Sequence, residues 1–195
     1  MELRTLLVSV ILGSVIGWSQ PAQTRRPDFS GTWTQDTEAS KALTEKMGLT
    51  WRVAGASAGA GTPAASNKRV IRQVTDITQS ETELVLESRF DKEVVSRTVL
   101  ELDGSVSINA SRNSSSRSTT VWKGSSLVTT GTTVLDFSDG SFRTASGQPI
   151  KEIRREFVTI RTLRPDGSMQ VEHRSKEDGK EERVRWSVLV RVKPD

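Results

Sequence analysis

The clearest pattern in the chain is an alternation of period two near its C-terminus. Val184, Trp186, Val188, Val190 and Val192 fall on one face of an extended segment. Arg185, Ser187 and Arg191 fall on the other, with Leu189 the one exception. Extended runs of the same kind fill most of the chain before it. Residues 68–77, 82–90, 93–102, 105–111, 117–123, 126–137, 150–164, 167–176 and 180–193 are predicted strands. A shorter strand signal, Pro27 to Gln35, comes ahead of them. Asp103-Gly104, Lys123-Gly124, Pro165-Asp166-Gly167 and Asp178-Gly179 punctuate the set, each supplying a glycine for the positive φ of a tight hairpin. Consecutive hairpins make an up-and-down antiparallel sheet, and closing such a sheet removes its exposed edges. The expected fold is therefore all-β: an antiparallel meander closed into a barrel of about eight to ten strands. A two-sheet sandwich is the alternative, because local patterning does not report closure.

Three segments depart from the strand pattern. Thr37 to Met47 is predicted as a short helix, with Ala39, Ala42, Leu43 and Met47 on one face, Thr37 as N-cap and Gly48 just past the end. Ala54 to Asn67 holds only small and polar residues plus Pro63, and reads as a flexible loop. Residues 1–19 read as a cleavable signal peptide: Arg4, then the apolar run Leu6 to Ile16, then Gly17 and Ser19 ahead of a cut before Gln20. The apolar run is about half the length of a membrane-spanning helix. No second such run follows, so residues 20–195 are expected to form a single domain without a membrane span, secreted or periplasmic.

Composition narrows the functional classes. The chain has no Cys, so its fold is held by packing without disulfides. The net charge of +4 and the sequence pI of about 9.7 raise nucleic-acid binding. From Lys151 to Asp195, however, Arg and Lys alternate with Glu and Asp, and no basic block or nucleic-acid motif is present. Nucleic acid is not expected as a partner.

Gly31-Thr32-Trp33 is a Gly-x-Trp triplet. With 14 Gly and 5 Trp in 195 residues, chance alone supplies about 0.4 of these, so its setting carries the weight. The wider phrase Asp28-Phe29-Ser30-Gly31-Thr32-Trp33 resembles the opening of exported bacterial lipocalin-like (calycin-type) β-barrel proteins of unassigned activity. Val121 to Val128 and Thr162 to Glu172 resemble later hairpins of the same group. The resemblance implies that Trp33 plugs one barrel end beside Gly31. It also implies that an Arg of the last strand stacks on the Trp, with Arg191 first and Arg185 second. The Thr-Asp motif of better-known lipocalins sits in a late loop. Thr75-Asp76 lies in an early strand and does not correspond to it.

Catalytic chemistry finds little to build on. His173 is the single His, and a usual metal site needs three or four ligands. There is no Tyr, and Gly55 to Gly61 lacks the Lys of a phosphate loop. The expectation is no enzyme, no metal and no cofactor.

The segment Ile153 to Leu163 is the most suggestive. One face carries Ile153, Arg155, Phe157, Thr159, Arg161 and Leu163. If that face points inward, its two Arg need a carboxylate partner or an anionic ligand. If it points outward, they are solvated. Arg155, Thr159, Arg161 and His173 are the candidate ligand-binding residues, with Phe157, Leu163 and Val171 beside an aliphatic part. The expected function is binding of a small amphiphilic ligand in the barrel interior. The alternative is a barrel filled by side chains that acts through its outer surface.

Overall fold

The computed structural model describes residues 26–49, 73–138, 143 and 146–192. The expected signal peptide at 1–19 and the loop at 54–67 lie outside the described residues. In chain order the elements are β1 Gly31–Asp36, α1 Thr37–Lys46, β2 Gln73–Gln79, β3 Glu83–Phe90, β4 Glu93–Glu101 and β5 Val106–Ser111. They continue with β6 Ser114–Lys123, β7 Ser126–Asp136, β8 Glu152–Leu163, β9 Met169–Glu177 and β10 Arg183–Arg191.

Neighbouring strands pair antiparallel in the order β4-β3-β2-β1-β10-β9-β8-β7-β6-β5. The first strand thus lies beside the last, and the meander curls into a nearly closed ten-stranded barrel. The sandwich alternative is excluded by that single continuous sheet. Strand positions follow the sequence pattern closely, and three hairpin turns hold a glycine at positive φ, +61° at Gly124, +80° at Gly167 and +70° at Gly179. Gly104 (+87°) lies in the β4–β5 connection, and the β3–β4 turn places Asp91 at +54°.

Only β4 and β5, consecutive in the chain, share no backbone ladder. Side chains bridge that seam. Asn109 Nδ2 donates to the Val99 carbonyl at 2.9 Å, and Asn109 Oδ1 accepts from the Val99 N–H at 2.7 Å. The carboxamide thereby copies the two bonds of a facing peptide. Ser107 Oγ accepts from the Glu101 N–H at 2.8 Å. Backbone groups that a bare edge would expose are satisfied this way.

The apolar core collects where β1, β3, β7 and β9 begin. Phe29, Trp33, Leu84, Leu100, Leu127 and Met169 are buried there. Trp33 is 1% exposed, and its Nε1–H donates to the Phe29 carbonyl at 2.9 Å. The Arg191 guanidinium lies over the Trp33 ring and donates from Nη2 to the Asp28 carbonyl at 3.1 Å. Arg185 lies toward the opposite end of β10. At Gly31, φ is +132°, and a Cβ would meet Arg191 Nη1 at 3.2 Å, so this position suits only glycine.

Helix α1 differs from its expected form. Asp36 caps it, not Thr37: its Oδ1 accepts from the Ala39 N–H at 2.9 Å. Its buried face is Ser40 and Thr44, and Met47 of the expected apolar stripe is exposed. The reason lies in what α1 packs against. β10 loses its β1 neighbour at Val188, the partner of Asp36, and α1 runs along β10 from there. Ser40 Oγ accepts from the Val188 N–H at 2.9 Å and so replaces the missing strand.

Candidate functional site

Pairing fixes which face of β8 is interior. Arg161 lines a cavity with Met169, Val171 and Leu189, so Arg155, Phe157, Thr159 and Leu163 share its inward face by period two. Across β8, β9 and β10 the side chains form rows. Arg161 faces Val171, Thr159 faces His173, which faces Arg185, and Arg155 faces Glu177. Arg161 and His173 are therefore diagonal neighbours, one row apart. The face of β10 that looks more polar in sequence is the interior one, and the valine-rich face points outward.

The middle of the barrel holds a cavity of about 280 Å³. Ile77, Leu86, Met169, Val171 and Leu189 form its apolar wall. Thr75, Ser88 and Thr98 give it three hydroxyls, none of which makes a hydrogen bond among the described residues. Arg161 is its one charge. The Arg161 Nη1–H donates to Thr129 Oγ1 at a long 3.4 Å, and no carboxylate of the described residues lies within 4.0 Å of the guanidinium. Burial pushes its pKa down to about 10, which leaves it charged at neutral pH. Arg161 is half-buried and lines the cavity.

A second recess, about 90 Å³, opens where β8 begins and β9 ends. Arg155, His173, Ser175 and Glu177 line one side, and Lys180, Glu181, Arg183 and Arg185 the other. Here the arginines are less alone. Arg155 Nη2 lies 3.3 Å from Glu177 Oε2, and Lys180 Nζ lies 2.8 Å from Glu177 Oε1. The Lys180 hydrogen bond first, with Arg155 adding to it, holds the Glu177 carboxyl below its usual range against the opposing effect of burial. Between the two recesses sits His173. Its Nδ1 is 2.9 Å from Thr159 Oγ1, and its ring stacks on Phe157 with centroids 6.0 Å apart. Burial, then Arg185, Arg161 and Arg155, push its pKa below the ordinary value, so the ring is neutral at pH 7.

The four candidate residues are thus placed on two adjacent strands, all facing in, but in two settings. Arg161 belongs to the cavity. Arg155 is ion-paired at the outer recess, and Thr159 and His173 bond each other between them. Phe157 stacks on His173, and Leu163 packs on the core, so only Val171 of the expected apolar trio lines the cavity. Sequence reasoning missed Thr75, Ser88 and Thr98. Their signal was present as inward positions of predicted strands, but isolated hydroxyls on strands are too common to stand out.

Among the described residues no group of three or more His, Asp or Glu could hold a metal ion. No helix among them is long and apolar enough to cross a membrane.

No protein-family model matches the chain. No curated protein sequence matches it either. Among solved structures, the fold is similar to a secretary abundant heat soluble (SAHS) protein from Ramazzottius varieornatus. That match has 11% identity and a TM-score of 0.41, covering 82% of this chain and 93% of that one. A likeness at this level carries no argument about family or function, and the barrel stands on the chain's own strand pairing.

Proposed function

We propose that this protein, exported as its N-terminus suggests, binds a small amphiphilic anion inside the barrel. The anionic head sits on Arg161, with the hydroxyls of Thr75, Ser88 and Thr98 within the same cavity. The apolar part lies along Ile77, Leu86, Met169, Val171 and Leu189. One observation carries this reading: a half-buried guanidinium lining a cavity, with no carboxylate of the described residues within 4.0 Å to offset it. Burying an unpartnered charge is costly. A carboxylate, sulfonate or phosphate would meet the guanidinium through two parallel hydrogen bonds. The cavity of about 280 Å³ is just below the usual range of small-molecule sites, so the ligand is small. The same volume speaks against a barrel filled by side chains that works only through its surface.

The test is a titration with medium-chain carboxylates and sulfonates on the wild type and on Arg161→Ala. The expected result is saturable binding that weakens at least about tenfold in the variant, about 1.4 kcal/mol. Equal affinity in both proteins, or no binding by the wild type, would overturn the reading.

A further inference from the structure

We propose that the interior site is proton-linked: His173 takes up a proton when an oxyanion enters the barrel, so that acidification tightens binding. This rests on the interior being an anion site and adds how that site is regulated.

His173 lies in the row Thr159–His173–Arg185. Charged groups reach it from both neighbouring strands. From β8 come Arg155 and Arg161, and from β10 come Arg183 and Arg185. From β9 itself comes Glu177, and from the turn after it Lys180 and Glu181. The Glu177 carboxylate is engaged by Arg155 and Lys180. Arg161 and Arg185 have no carboxylate of the described residues within 4.0 Å. The field at the imidazole is therefore positive.

In the empty barrel a protonated ring would add a further positive charge among arginines, partly out of water. Both effects keep it neutral. An oxyanion on Arg161 offsets part of that positive field, and the imidazolium then gains a counter-charge. The partner of Nδ1 is suited to both states. A threonine hydroxyl donates to a bare ring nitrogen and accepts from a protonated one, so Thr159 can turn without losing the hydrogen bond. By linkage, whatever factor the anion adds to proton affinity, the proton adds to anion affinity.

The test uses 1-decanesulfonate, whose sulfonate stays ionised from about pH 5 to about pH 8, so any pH dependence belongs to the protein. His173 is the chain's single histidine, so its imidazole gives one titrating NMR signal. We expect that signal to titrate below the ordinary 6.5 in the free protein and to move up when decanesulfonate is bound. Calorimetry in two buffers of different ionisation enthalpy should show proton uptake. Affinity at about pH 5 should exceed that at about pH 8 by at least about fivefold. In His173→Asn, which keeps a hydrogen-bonding group toward Thr159, affinity should be the same at both. Binding by the wild type that ignores pH, an imidazole unmoved by ligand, or a pH dependence that survives in His173→Asn would each overturn the linkage and leave the anion site standing. No binding at either pH would remove both. The wild-type NMR titration decides the matter even if His173→Asn does not fold.

Discussion

The Arg191 guanidinium lies 4.8 Å from the centre of the Trp33 ring, and the two residues face each other in the β1–β10 ladder that closes the barrel. The contact joins the first strand to the last. Trp33 fills the closed end, and Arg191 covers it while holding the Asp28 carbonyl. Trp33→Ala should destabilise the protein by about 3–5 kcal/mol through the large cavity it leaves. Arg191→Ala should cost less, about 0.5–1 kcal/mol, since the cation is exposed on its outer side. Urea unfolding of both variants checks this. A Trp33→Ala effect below that of Arg191→Ala would show that the ring does not organise this end.

The β4–β5 seam should depend on one carboxamide. Asn109→Ala removes both bonds to Val99 and leaves its N–H and C=O without partners in a partly buried place. The expected loss is about 1–3 kcal/mol. Amide exchange at Val99 should speed up more than at Val85, its β3 partner. Uniform acceleration throughout the sheet would mean that the seam has no local role.

Ser40 should behave as part of the sheet although it lies in a helix. Ser40→Ala leaves the buried Val188 N–H without its partner, at a cost of about 1–3 kcal/mol. Ordinary helix positions would favour alanine over serine. A stabilised Ser40→Ala, read by thermal unfolding, would show that helix propensity outweighs the strand-end bond.

Strand positions were legible because two local signals agree: period-two patterning and glycines at the turns. Closure was not legible in local patterning; it is expected because it removes exposed edges and because the resemblance implies that Arg191 stacks on Trp33, as it does. The helix misled for a physical reason. Ala39 and Leu43 suggest an apolar face, but α1 packs beside a strand edge that needs a hydrogen-bond acceptor, and Ser40 supplies it. The inward direction of Arg155 and Arg161 could not be read from β8 alone, whose two faces are equally mixed. It follows from pairing with Met169, Val171 and Glu177. On β10 the valine-rich face attracts attention, yet it points away from the barrel interior, and α1 buries its Val188 from outside.

The neutral His173 should also mark the stability of the ligand-free protein. Its folded pKa lies below 6.5, the value expected in the unfolded chain. On acidification the unfolded state therefore binds the proton first, and stability is lost as pH falls from about 6.5 toward the folded value. The loss stops once both states are protonated. Glu177 acts in a separate window. Its folded pKa is also lowered, so its contribution is present above its unfolded 4.5 and is lost as pH falls further. Thermal unfolding of wild type and His173→Asn should thus differ by a constant amount above about pH 7.5, since neither state is protonated there. Between about pH 6.5 and 5 the wild type should lose stability faster than the variant. Near pH 4 both should fall together as carboxylates such as Glu177 titrate. Saturating decanesulfonate, by giving the imidazolium a counter-charge, should remove most of the wild-type loss in the upper window and leave the lower one in place. Parallel curves for the two proteins from pH 7.5 to 5 would show that the imidazole is not held neutral by its surroundings.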